Sequence, residues 1–194
     1  VLSTTPSRSS FCLVVAYISP AVNQTTMDEH AADAPVEERI GDALRDADAT
    51  VAVAESCTGG LIGSLLTDIP GSSDYFDRSL VTYSYDAKLT ELAVSRESLD
   101  EHGAVSAPVA EQMAAGVRDT AGTTYGLSTT GIAGPDGGTE EKPVGTVFIG
   151  RAYADEWGSG GSHTEVSRHV LDGNRREIKA GIARTALELL EQDI

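Results

Sequence analysis

The residues able to do chemistry lie in three polar stretches, each following an apolar run. Ser56 stands in Glu55-Ser56-Cys57-Thr58-Gly59-Gly60, directly after the short β-branched run at residues 50–54. A serine at a strand-to-helix turn lies near free backbone N–H groups and the positive end of a helix dipole. Such a turn can hold an oxyanion or a phosphate and can activate a hydroxyl or thiol. A serine that merely caps the helix explains the position equally well. Cys57 is the rival nucleophile; a small buried filler is the favoured reading, because free cysteine is usually a core residue.

The second stretch is Val81-Thr82-Tyr83-Ser84-Tyr85-Asp86-Ala87-Lys88. A lysine desolvated in a pocket loses basicity and can serve as a base for a serine hydroxyl. Tyr83 could relay a proton or hold a substrate. Lys88 is one of only three lysines, with Lys142 and Lys179, and that scarcity balances the ordinary expectation of a solvated lysine. The third stretch, residues 131–139, is the most glycine-dense, and its backbone amides could approach an anion. Lys142 just beyond it is either a cation facing a phosphate or a counter-charge for Glu140 and Glu141. Arg175, after Gly173, is a candidate phosphate clamp or a surface arginine.

Other chemistries find no support. The four histidines (His30, His102, His163, His169) lack paired metal spacing, and no Walker loop occurs. A metal site is therefore not expected. A Ser-His-Asp triad has no local support.

The elements that must position these loops follow from periodicity. Helical spacing covers residues 36–47, 60–67, 86–93, 97–101, 108–120 and 174–192, with Ser106 as the cap before Pro108. Strands are expected at residues 50–54, 79–83, 125–130, 145–153 and 164–171, the last two joined as an antiparallel hairpin through the glycine turn at 158–161. Helix and strand alternate before the hairpin, which predicts an α/β fold: a three-layer α/β/α single domain with a mixed β-sheet. Ligands in such sheets bind beyond the strand ends, where residues 55–60, 83–88 and 130–142 gather.

Composition narrows the partners. A formal net charge of −16 over 194 residues disfavours nucleic acid and anionic membranes as partners. Acid in place of surface lysine predicts a salt-adapted, archaeal source. Two cysteines, Cys12 and Cys57, exclude a disulfide framework and fit a reducing cytoplasm. The longest apolar run, residues 11–18, is too short to span a bilayer. All 30 acidic residues fall in 27–194, so residues 1–34 read as a non-conforming extension, disordered or untranslated, with Met27 as the native start. The domain then occupies residues 35–194. Its long final helix leaves room for a homo-oligomer.

Taken together, Ala-Glu-Ser-Cys-Thr-Gly-Gly at 54–60, Pro-Gly-Ser-Ser at 70–73 and Val-Thr-Tyr-Ser-x-x-Ala-Lys at 81–88 resemble the CinA C-terminal domain family. So do His-Gly-Ala-Val-Ser at 102–106, Thr-Gly-Ile-Ala-Gly-Pro-Asp-Gly-Gly-Thr at 130–139 and Glu-Lys-Pro-Val-Gly-Thr-Val at 141–147, with Gly-Asn-Arg at 173–175 a looser match. The resemblance implies a stand-alone nicotinamide-nucleotide amidase, which hydrolyses the carboxamide of nicotinamide mononucleotide to nicotinate mononucleotide and ammonia without a cofactor. On that basis Ser56, Tyr83 and Lys88 are the catalytic candidates. Thr58, Gly59, Ser73, Thr130, Gly131, Gly134, Lys142 and Arg175 are the substrate-binding ones. The rival readings are a non-catalytic nucleotide- or partner-binding module, and an amidase for another small amide.

Overall fold

The computed structural model describes residues 34–194; the expectations for residues 1–33, including a start at Met27, lie outside the described residues. The first described helix, α1 (Val36–Asp46), carries Glu37 and Glu38 in its first turn and Arg45 in its last, complementing the helix dipole. Then follow β1 (Val51–Glu55), α2 (Leu61–Thr67), a 3-10 turn (Ser72–Asp74) and β2 (Phe76–Val81). Three helices come next, α3 (Tyr85–Leu92), α4 (Arg96–His102) and α5 (Ala107–Ala121). The chain closes with β3 (Tyr125–Gly131), β4 (Thr146–Tyr153), β5 (His163–Val170) and α6 (Arg175–Glu191).

The five strands form one sheet in the order β2-β1-β3-β4-β5. Strand β1 pairs parallel with both β2 and β3, whereas β3–β4 and β4–β5 are antiparallel. The crossovers from β1 to β2 and from β2 to β3 run in opposite directions along the sheet. Right-handed connections therefore put their helices on opposite faces. On one face Ile40 of α1, Ile62 of α2 and Ile182 of α6 pack over Val51, Val53 and Leu127. On the other, Leu92, Leu99 and Met113 cover Ala52 and Ala54. This is the expected three-layer α/β/α domain with a mixed sheet.

Helix α5 lies unusually close to the sheet. A Cβ on Gly126 would meet Ala114 O at 2.2 Å, and one on Gly150 would meet Ala110 O at 2.5 Å. Side chains there would push the helix away, so these glycines set the spacing of the layer. Helix α6 is tied to α1 by a two-pronged Arg39–Glu191 pair at 2.9 and 2.7 Å.

Two local expectations are corrected. Strand β2 begins at Phe76, earlier than residue 79, and ends at Val81. As an edge strand it tolerates Asp77 and Arg78, which read as loop in the sequence, while the Ser84 hydroxyl caps α3 by accepting from Ala87 N–H at 3.1 Å. Ser106 occupies the cap position of α5, but its hydroxyl donates to Gly103 O at 2.8 Å instead of capping. Among the described residues, no helix is long and apolar enough to cross a membrane.

Candidate active site

Because β1, β2 and β3 are parallel, the loops that follow them open on one edge of the sheet. Antiparallel pairing brings the start of β4 and the end of β5 to the same edge, and with them the start of α6. Residues 56–60, 82–88, 131–142 and 173–179 are thus neighbours despite their separation in sequence.

The turn after β1 is organised by Glu55. Its fully buried carboxylate accepts from the backbone N–H groups of Gly60 (2.8 Å), Ile62 (3.2 Å) and Gly63 (2.9 Å), and from the Ser79 hydroxyl (2.7 Å). A carboxylate at a helix start satisfies orphan donors and meets the positive dipole end. The cap position of α2 is Gly60, at φ 91°, which only glycine adopts freely. Ser56 is therefore not the cap. With Glu55 in place, the α2 amino end is no longer open to a substrate anion.

Released from capping, Ser56 faces the second loop. Its N–H donates to Thr129 O at 3.0 Å, which anchors the turn to β3. Its Oγ accepts a hydrogen bond from Lys88 Nζ at 3.1 Å. Lys88 is fully buried in the first turns of α3, and its second bond goes to Thr82 O at 2.5 Å. No carboxylate pairs with it among the described residues. Burial away from water pulls its pKa down from the ordinary lysine value to about 8. A base of that strength against a serine hydroxyl can generate a nucleophile near neutral pH. The backbone N–H groups of Cys57 and Thr58, in the same turn, face the Cys57 thiol, whereas that of Gly59 has no hydrogen-bond acceptor among the described residues. Cys57 is 6% exposed, and burial pushes its thiol up to about 12. That is an inert filler rather than a nucleophile.

The remaining sequence candidates divide. Thr58 is buried, its hydroxyl paired with that of Thr129 at 2.8 Å, so it braces the turn against β3. Gly59 adopts φ 64° at the rim of the turn. Thr130 donates to Ala104 O at 2.7 Å, fixing the α4–α5 connection beside the site. Gly131 is a close-approach position, since a Cβ would lie 2.5 Å from Thr146 O. Arg175 donates through Nη1 to Gly134 O. Both line a cleft of about 490 Å³ with Ala133, Pro135, Val144 and Asn174. Tyr83 is 67% exposed and forms no hydrogen bond among the described residues, so no proton relay to Lys88 exists in this conformation.

Two expected phosphate contacts are redirected. Lys142 donates to Val105 O at 2.8 Å and to His102 O at 3.3 Å. Its charge straps two loops together. Ser73 lines a hollow with Thr50, Gly122 and Thr123, which precede β1 and β3. It therefore sits at the opposite edge of the sheet from Ser56. Helix α2 returns antiparallel to β1, and Ser73 follows that return.

Sequence reasoning passed over two residues. Glu55 was in plain view inside the first motif, but a buried acid is not expected from residue type. Lys179 was the third of three lysines, and the scarcity that flagged Lys88 applied equally. It lies in α6, and a Cβ on Gly59 would stand 3.5 Å from its Nζ.

Comparison with known proteins agrees with the geometry. The family model for the CinA C-terminal domain matches residues 33–194. A CinA-like protein of Salinibacter ruber is 53% identical over 156 residues, 80% of this chain and 36% of that protein. A CinA-like protein of Nostoc is 48% identical over 157 residues, 79% of this chain and 37% of that protein. The chain thus spans little more than a third of the length of these relatives. The crystal structure of the competence/damage inducible protein CihA from Agrobacterium tumefaciens superposes with a TM-score of 0.74 at 40% identity, covering 80% of this chain and 91% of that one. A CinA superfamily structure from Escherichia coli gives 0.70 at 30% identity, covering 80% and 90%. With the family model matching residues 33–194 and the fold shared with solved members of the superfamily, this chain belongs to the CinA C-terminal domain family.

Proposed function

We propose that the chain is an amidohydrolase whose substrate is nicotinamide mononucleotide and whose products are nicotinate mononucleotide and ammonia. One observation carries this reading: Lys88 Nζ stands 3.1 Å from Ser56 Oγ, and Lys88 is buried without a carboxylate partner. A buried lysine left unpaired is costly to the fold, and such costs concentrate where chemistry needs them.

The reaction follows from the arrangement. Neutral Lys88 takes the Ser56 proton while Oγ bonds to the carboxamide carbon. The developing oxyanion meets backbone N–H groups of the Ser56 turn, that of Gly59 being without an acceptor among the described residues; one such donor is worth about 3–4 kcal/mol. Collapse breaks the carbon–nitrogen bond as Lys88 returns its proton to the leaving amine, giving ammonia. Water, losing a proton to Lys88, then attacks the acyl-serine carbonyl. Its oxygen stays in the carboxylate and Ser56 recovers a proton. Thr82 O holds the Lys88 amine through both steps. Tyr83, exposed one residue further on, is free to contact the substrate from the rim.

The direct test is ammonia release from nicotinamide mononucleotide at high salt, with Ser56→Ala alongside. Turnover lost with substrate binding kept supports the serine. Turnover near normal in Ser56→Ala leaves direct attack by water. A chain that binds the mononucleotide and releases no ammonia is a binding module, not an amidase.

A further inference from the structure

Thr82 O accepts from Lys88 Nζ at 2.5 Å, yet the hydroxyl of the same residue has no part in the reaction. Thr82 is 1% exposed, and its Oγ1 is sealed from solvent with no hydrogen-bond partner among the described residues. A hydroxyl buried in that way is costly unless a donor comes to meet it. Glu37, Arg45, Thr146 and Arg151 supply the other such atoms. Of these five residues, Thr82 alone holds Lys88.

That hydroxyl lies on the Lys88 side of the sheet. Thr82 N–H continues the β1–β2 ladder by donating to Glu55 O at 2.9 Å. Ser79 meets Glu55 on the α2 face, while Leu80 packs with Ala54 and Leu92 on the opposite one. Alternation therefore sets the Thr82 side chain beside Ser56, on the face that α3 covers. Four covalent bonds join Oγ1 to the carbonyl oxygen of its own residue, which keeps the two within roughly 5 Å. The Lys88 amine can swing towards the hydroxyl without releasing the carbonyl. It also has a proton for it: an ammonium carries three, and Ser56 Oγ and Thr82 O take two. Solvent does not reach Oγ1, so its donor must come from the protein.

Hydrolysis of the acyl-serine creates the need. While Ser56 carries the acyl group, its Oγ is an ester oxygen and a weak acceptor. Water adds to the acyl carbon and passes a proton to Lys88. The ammonium so formed has lost Ser56 as a partner, in a dry place where an unpaired charge is costly. When the carbon–Oγ bond breaks, the proton goes on to Oγ and the amine returns to the serine.

We infer that the Thr82 hydroxyl is the second seat of the Lys88 amine, taken up while Ser56 is acylated, and that Thr82 is thereby a positioning residue for hydrolysis of the acyl-enzyme. The kinetic consequence rests on the amidase reading; the seat itself does not.

The test uses Thr82→Val, which keeps the shape and deletes the hydroxyl, and Thr82→Ser, which keeps the hydroxyl, each confirmed folded by a thermal melt. The methyl ester of nicotinate mononucleotide acylates a serine far more readily than the amide does, so that deacylation sets its kcat. Thr82→Val should lower kcat for the ester about ten- to a hundredfold, the range for a hydrogen bond to a charged group. KM should fall in step, so that kcat/KM holds for ester and amide alike, and Thr82→Ser should recover most of the loss. An unchanged kcat for the ester overturns the role. So does an equal loss in kcat/KM, which is what a merely structural residue would give. A second measurement needs no turnover. In Ser56→Ala the Lys88 amine has only Thr82 to turn to, and with three lysines in the chain its NMR titration can be followed. Adding Thr82→Val to Ser56→Ala should raise the Lys88 acid dissociation constant about tenfold, since the ammonium loses an acceptor; equal constants overturn the seat. A tenfold change in a chain that releases no ammonia keeps the seat and removes the amidase. Ammonia release with equal constants does the reverse.

Discussion

The carboxylate of Glu55 accepts the backbone N–H of Gly63 at 2.9 Å, eight residues along the chain, and so clamps the whole Ser56 turn between β1 and α2. Three amides and a hydroxyl depend on that one side chain. Replacing it by alanine orphans all four and should cost about 3–5 kcal/mol, the usual penalty for breaking a buried charged network. Glu55→Gln keeps one acceptor oxygen and should cost about half as much. Thermal melts of both variants check this; melting temperatures equal to wild type would show that the clamp contributes nothing.

The buried Lys88 fixes a pH profile. In the proposed mechanism its neutral form is the base, and burial lowers its pKa to about 8. Turnover should therefore climb with pH through an acidic limb near 8 and level off above it. A rate independent of pH between 6 and 9 would remove Lys88 from the base role.

Lys88 also links stability to pH, with a definite sign. The folded pKa lies below the ordinary 10.5, so the unfolded chain binds more protons between about 8 and 10.5, and stability rises with pH across that window. Below it the fold carries a cost of roughly 3 kcal/mol. Lys88→Met removes the cost but orphans Thr82 O, so the expected net gain is about 1–2 kcal/mol at pH 7. That gain should fade towards pH 10.5, while activity is lost throughout. A variant less stable than wild type at pH 7 would contradict the account.

Ser56 and its neighbour should separate cleanly. Ser56→Ala is expected to lower kcat by at least about 10⁴-fold, as for other covalent nucleophiles. Cys57→Ala should keep most activity and lose about 1–2 kcal/mol of stability through a small cavity. Thiol alkylation of the folded protein should be slow, because the thiol is buried and held protonated. Rapid inactivation by alkylation, absent in Cys57→Ala, would reinstate the cysteine.

The net charge of −16 predicts self-repulsion that salt relieves. The melting temperature should rise steadily from low to molar potassium chloride. Full stability at low salt would argue against adaptation to concentrated salt.

Several features were legible in the chain because they are written locally. Apolar periodicity, the Gly103 stop of α4 and the Asn174 start of α6 mark element ends within a few residues. Parallel strands joined by right-handed crossovers must deliver their loops to one edge, so the meeting of residues 55–60, 83–88 and 130–142 followed from the order of elements. The family motifs lie in those loops.

What the chain alone could not decide was the choice of partner. Ser56 and Glu55 competed for the same helix amides, and the carboxylate won because it reaches three of them and carries charge. That outcome freed the hydroxyl for Lys88, 32 residues away. Lys142 turned to two carbonyls, and Ser73 was carried to the far edge by the return of α2. Lys179 reached the Ser56 turn only because α6 packs over α2. Hydrogen bonds between residues distant in sequence are settled by which donor and acceptor the packed layers bring within 3 Å, and spacing along a chain contains no term for that.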